Sequence, residues 1–356
     1  MALKISRLLF PLGICLLLFS PYSLIAADAT ESEGGSIDIL GKTADHDYFD
    51  TALGKIYLPR IFVVNGEISF YSSTKKALES GEFIQTEEGI IRADGQGIDL
   101  DLSITSHLVY VWLGILFALL FTMWAASRYK KGIGSETAPK GAIQNIFEIL
   151  YLFVRDQIVF EYIPRDKAVK YIPFLFSVFM AIAMMNMLGL LPWGASATAD
   201  LTVTATLALI TFIVTQVSGT KDHWQHVFNF PGVPLAVKFI LTPVEILGLL
   251  TKPFALAIRL FANMLSGKIM IICILGLIFI FTDLFGPAVG VGTSIFWVGL
   301  TSVLYGLKVF VALLQAYIFT LLSAVFIGMA AEEHHHDDHH HHELELLSNT
   351  QQSNNH

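Results

Sequence analysis

Between residues 284 and 331 the chain carries a single charged side chain, Lys308. A backbone in lipid must satisfy its own hydrogen bonds, and an uncharged stretch of this length does so as helix. A helix over residues 294–331 would be about 57 Å long at 1.5 Å per residue. The hydrocarbon core of a bilayer is about 30 Å thick, and an ordinary tilt of about 20° does not absorb the difference. The segment must therefore break or lie steeply inclined. No proline follows Pro287 within it, which favours one steeply tilted helix. Residues 235–282 pose the same problem, with Pro243 and Pro253 as possible kinks and with Lys238, Glu245, Lys252, Arg259 and Lys268 as charges.

Composition agrees with a membrane chain. Hydrophobic residues make up 54% and charged residues 15%, with a mean hydropathy of +0.62; these values point to a polytopic membrane protein. The net charge of −8 reflects acids concentrated at the two ends, and no basic cluster exceeds Arg128-Tyr-Lys130-Lys131, so nucleic acid is not expected as a partner. The two cysteines, Cys15 and Cys273, both lie in apolar runs and provide neither a disulfide framework nor a cysteine metal site.

Four regions are expected. Residues 1–29 read as a signal peptide: Lys4 and Arg7 precede an apolar stretch, and Ala27-Asp28-Ala29 has the small-residue cleavage pattern. Cleaved or kept as an anchor, it directs residues 30–105 to the periplasmic side of a bacterial inner membrane. Within that segment, residues 60–64 and 67–71 flank Asn65-Gly66 and predict a β-hairpin with a type I′ turn. The membrane domain, residues 106–334, opens with an uncharged crossing over residues 108–126, and Arg128, Lys130 and Lys131 then mark a cytoplasmic end. Residues 141–162 place Ile143, Ile146, Phe147, Leu150, Phe153 and Val154 on one stripe with Gln144, Glu148, Arg155 and Asp156 off it, which predicts an amphipathic helix on the cytoplasmic face. Crossings over residues 171–191 and 201–218 form a membrane hairpin with Pro192-Trp193 in its loop. The expected fold is thus an all-α polytopic membrane protein with about five membrane-embedded helices, the last two long and steeply tilted, and one interfacial helix. Its C-terminus faces the cytoplasm. Residues 335–356 form a histidine-rich tail. Acids interspersed among the histidines argue against an expression tag; zinc or nickel could bind there, but a solvated tail is the favoured reading, and no metal or cofactor is expected.

Arg259 is the residue that most demands a function. Its guanidinium stays charged at any accessible pH, and holding it at membrane depth costs about 2.5–3.5 kcal/mol on insertion scales. Lys238, Glu245, Lys252 and Arg259 are seven apart, so they drift only about 20° per step and share one side of a continuous helix. Gly248, Ala255, Ala262 and Ser266 fall within about 60° of Arg259 at 100° per residue, and such small residues let a neighbouring helix approach closely. Lys268 points almost opposite. In the last helix Lys308 and Gln315, also seven apart, share a face.

The stretch Lys252-Pro253 through Arg259-Leu-Phe-Ala-Asn263-Met to Gly267 resembles the arginine signature of subunit a of the F-type ATP synthase. Leu314-Gln315-Ala316-Tyr317-Ile318-Phe319 with Met329-Ala-Ala-Glu332, and Met185-Asn186 through Pro192 with Asp200, resemble further parts of that family. The resemblance covers roughly residues 105–334 and implies a proton-translocating stator against a ring of c subunits, with a b-type peripheral stalk and the F1 sector as further partners. It implies that Arg259 attracts each arriving c-subunit carboxylate and blocks leakage between two half-channels. It matches Glu245 to the cytoplasmic half-channel and Asn263 and Gln315 to polar residues beside the arginine. Lys268 and Lys308 stand where the family commonly has a Glu/His pair. They act either in a relay or structurally, snorkelling toward polar surroundings, and His107, Asp200 and Asp283 become candidates to line the periplasmic route. The chain has no Walker-type loop for phosphoryl chemistry. Alternatives are a secondary cation transporter, which predicts inverted repeats and midplane carboxylates, and a non-conducting scaffold.

Overall fold

The computed structural model describes residues 48–332 except 52–53, 65, 87–88, 95–97, 133, 135–140, 192–195 and 229–234. The leader, Asn65, the Pro192-Trp193 loop and the histidine-rich tail lie outside the described residues.

The N-terminal part is a small β-rich domain. Strands β1 (Tyr48–Thr51) and β2 (Gly54–Tyr57) pair antiparallel. The Asn-Gly signal marks a two-residue turn between β3 (Arg60–Val64) and β4 (Glu67–Tyr71): Val64 opposes Glu67, and Gly66 takes φ +80°, which glycine adopts without steric cost. Helix α1 (Thr74–Glu79) is capped by the Ser73 side chain. Strands β5 (Phe83–Thr86) and β6 (Gly89–Arg92) form another hairpin, and β7 (Leu100–Asp101) joins β3 on its free edge, giving the sheet order β4-β3-β7. Beyond the hairpin, these strands carry too few alternating residues to be read from sequence.

The rest is helical. Helix α2 (Ser106–Lys130) is the first apolar span. Helix α3 (Ala142–Phe153) runs into a π-helical stretch, Val154–Val159, and then α4 (Phe160–Tyr162), so the single amphipathic helix expected here is broken by a change of hydrogen-bond register. The buried face also differs from the expected stripe. Phe147 and Val154 are buried, but so is Gln144, whereas Ile143 and Ile146 are exposed. Gln144 turns inward because the Arg128 guanidinium donates to its Oε1 at 3.1 Å, a partner from another helix that a stripe analysis does not see.

Helices α5 (Arg165–Gly189) and α6 (Leu201–Val217) form the membrane hairpin, joined through a 3₁₀ turn, Ala197–Ala199. The Asp200 carboxylate caps α6 by accepting from the Thr202 amide at 2.7 Å, as helix N-termini favour. A short helix, α7 (Lys221–Phe228), precedes the two long ones, α8 (Leu235–Phe285) and α9 (Pro287–Ala331). Both long segments are single helices, of 51 and 45 residues, or about 77 and 68 Å. Pro243 and Pro253 sit inside α8 without ending it. Gly286, at φ +88°, is the whole connection between α8 and α9, and Gly290 packs so closely on Thr282 that a Cβ has no room there.

Helix α9 lies in the middle, against α8 on one side and α5 on the other, while α6 packs on α8 and α2 on α5. The core unites Leu175, Met180 and Ile182 of α5, Leu260 of α8 and Phe319 and Ile327 of α9. Gly114 of α2 lets the Met185 backbone approach, and Gly328 of α9 lets the Tyr162 carbonyl approach. Outside this core Trp112, Leu119, Leu120 and Met123 of α2 and Phe310 and Leu313 of α9 are exposed. An apolar surface this extensive requires lipid or protein against it.

Candidate functional site

Arg259 occupies the middle of α8 on its exposed side. Leu256, Ala257, Leu260 and Met264 bury the other side, while Arg259 is exposed together with Ala255, Ala262 and Ser266. A Cβ added at Gly248 would meet nothing within 4 Å. The expected smooth strip around the guanidinium is therefore open. Among the described residues no carboxylate forms an ion pair with Arg259.

One turn further, Asn263 Nδ2 donates to Gln315 Oε1 of α9 at 2.7 Å. Gln315 is 1% exposed, and its own Nε2 has no hydrogen-bond partner among the described residues. The two amides form a polar bridge between the long helices beside the arginine. Lys308, one heptad before Gln315, is also buried; its aliphatic stem crosses Gly267, where an added Cβ would meet Cε at 2.9 Å. Lys268, half-buried, stands close enough to repel the Lys308 ammonium. Sequence spacing turns Lys268 away from Arg259, and in the structure it lies near Lys308 of α9.

A second polar group gathers where α2, α5 and α6 meet. His107 Nδ1 lies 3.5 Å from Asp200 Oδ2, with the imidazole buried and the carboxylate partly open. Nearby, buried Asn186 donates through Nδ2 to the Ala312 carbonyl at 2.9 Å and accepts from Thr198 Oγ1 at 2.7 Å, and the Tyr305 hydroxyl donates to the Leu190 carbonyl. Asn186 thus brackets α5, the 3₁₀ turn and α9. Its bridging role is hinted at in the sequence only by an amide within an uncharged run.

The remaining candidates are dispersed. Glu245 is half-buried on α8, fourteen residues and so about 21 Å before Arg259. Asp283 is exposed near the far end of α8. Lys252 does not share the free side with Arg259: its ammonium lies 5.6 Å from the centre of the Phe326 ring on α9 and borders a small cavity of about 30 Å³ with Gln216 and His223. Among the described residues no group of three His, Cys, Asp or Glu is placed to hold a metal ion.

The family model for the ATP synthase A chain matches residues 108–328. The chain is 44% identical over 236 residues to ATP synthase subunit a of Myxococcus xanthus, covering 65% of this chain and 74% of that protein. It is 42% identical over 235 residues to the subunit a of Chloroherpeton thalassium, covering 65% of this chain and 67% of the relative. The chain belongs to the ATP synthase subunit a family. All the site candidates except His107 fall within the matched stretch, and His107 immediately precedes it. The β-rich domain lies wholly outside it. Family membership does not favour the cation transporter or the scaffold.

Proposed function

We propose that Arg259 is the electrostatic gate of the proton-translocating stator subunit that this chain supplies to a rotary ATP synthase. The observation that carries this reading is an exposed guanidinium, without a carboxylate partner among the described residues, on a strip of small side chains at mid-helix. A ring of c subunits turns against that strip. Each ring carboxylate arriving in its ionised form is attracted to the fixed positive charge, which at an effective dielectric of 4–20 is a gross attraction of several kcal/mol before desolvation. The same charge repels a proton hopping along water past it, so a proton reaches the far side only on a ring carboxylate.

Two half-channels end near the gate. Glu245 belongs to the cytoplasmic one. The other runs by the His107–Asp200 pair toward Lys268, Lys308, Gln315 and Asn263, and the buried Gln315 Nε2 offers a donor to water beside Arg259. The chain sits in a bacterial inner membrane. Residues 1–29 are removed as a signal peptide, the β-rich domain is periplasmic, and Arg128, Lys130 and the C-terminus face the cytoplasm, as the positive-inside rule directs. A b-type peripheral stalk and the F1 sector complete the complex.

Arg259→Ala, in inverted membrane vesicles carrying the assembled complex, is expected to abolish ATP-driven acidification measured by quenching of an acridine dye. Acidification at the unmodified rate, with the complex present in unchanged amount, overturns the gate.

A further inference from the structure

The β4-β3-β7 sheet has one face on the domain core and an apolar face that its own fold leaves largely exposed. In an antiparallel ladder, residues opposite one another point to the same side of the sheet. Phe62 opposes Ser69 and Asp101, and Arg60 opposes Tyr71. That face is the domain core: Phe62 is fully buried, its ring 4.7 Å from that of Phe83, with Ala77 beneath, and Arg60 reaches Asp101 at 3.9 Å on the same side.

The other face pairs Ile61 with Phe70 and Val63 with both Ile68 and Leu100. Ile68 is 72% exposed, Phe70 65%, Leu100 53% and Leu102 51%. A sheet with one face on a core normally turns polar residues outward. Here every paired residue on the outer face is apolar.

Its location decides what covers it. The ladder does not stop at β7: the Leu102 amide donates to the Ile61 carbonyl at 2.9 Å and the Ile104 amide to the Pro59 carbonyl at 3.3 Å. The membrane span α2 begins two residues later, at Ser106. The sheet therefore runs into the first spanning helix with no free linker. With a period of two, Leu100, Leu102 and Ile104 all lie on the outer face, and Leu100 is only about 13 Å along the strand from Ile104. The headgroup layer beside the hydrocarbon core is about 5–8 Å deep on each side. Leu100 stays within reach of that layer where the strand leans along the surface, and an apolar face gains by leaning so.

We propose that the outer face of the β4-β3-β7 sheet is a membrane-docking surface that rests on the lipid of the leaflet where α2 begins. Ile68, Phe70, Leu100 and Leu102 insert at the headgroup boundary, and the charged Arg60, Glu67 and Asp101 stay on the opposite side. The inference rests on α2 spanning the bilayer and is independent of the role of Arg259.

The test uses the full chain with Cys15 and Cys273 replaced by alanine, carrying Ile68→Cys, or in a second preparation Phe70→Cys, labelled with bimane. Glu67→Cys, on the same strand but the other face, is the reference. In phosphatidylethanolamine–phosphatidylglycerol vesicles containing doxyl-labelled phosphatidylcholine, the label at 68 or 70 is expected to be quenched several-fold more than at 67 and to be less sensitive to aqueous iodide. Equal lipid quenching at the three positions overturns the proposal. So does protection from iodide without lipid quenching, or protection that arises only in the assembled ATP synthase, since a protein would then cover the face.

Discussion

The arginine and the amide bridge beside it divide the work of charge and of geometry. Arg259 is open to a partner, whereas Asn263 and Gln315 are committed to one another across α8 and α9. Gln315 is buried while Asn263 is exposed, so removing Asn263 leaves a buried carbonyl oxygen unsatisfied, while removing both amides can be nearly neutral. Asn263→Leu is thus expected to destabilise the purified chain by about 1–3 kcal/mol, read as a lower denaturation midpoint in detergent. The double change with Gln315→Leu is expected to recover most of that loss, and equal midpoints for the single and double variants would refute the coupling. Arg259 was legible from sequence because a permanent charge in an apolar run has few explanations. Asn263 and Gln315 were legible as family matches, though not as bonded to each other. The inward turn of Gln144 was not legible at all, because its partner, Arg128, comes from a different helix.

At the level of elements, the spans were readable from the length of largely apolar sequence and its flanking charges, and both long segments proved continuous. What escaped was whatever depends on contact between elements. The π-helical stretch after α3 leads to the place where the Tyr162 carbonyl rests on Gly328, and no local pattern encodes that meeting. Gly328→Ala must push a backbone carbonyl away rather than the tip of a flexible side chain. It is expected to cost about 1–3 kcal/mol in the same unfolding measurement; an unchanged midpoint would mean that the close approach is not needed. Most of the β-rich domain escaped for a related reason. Its strands are two to five residues long, too short for most of them to stand out by alternation.

For the molecule as a whole, one surface is expected to serve assembly rather than folding. Ala262→Trp places bulk on the exposed strip beside Arg259, where no packed neighbour is disturbed. The unfolding midpoint of the isolated chain is expected to shift by no more than about 0.5 kcal/mol, as for ordinary surface changes, while ATP-driven acidification of vesicles falls sharply. A matching loss of stability would instead make the strip part of the chain's own core. A stator must also hold still under load, and the far end of α9 bears on this. Lys167 Nζ donates to the Ala331 carbonyl at 3.0 Å and the Thr220 amide to the Ala330 carbonyl at 3.0 Å, so the terminal turn, where helices ordinarily fray, is gripped by α5 and by the link after α6. Sideways force on the long helix pair is then delivered to a braced foot rather than dissipated in a loose end.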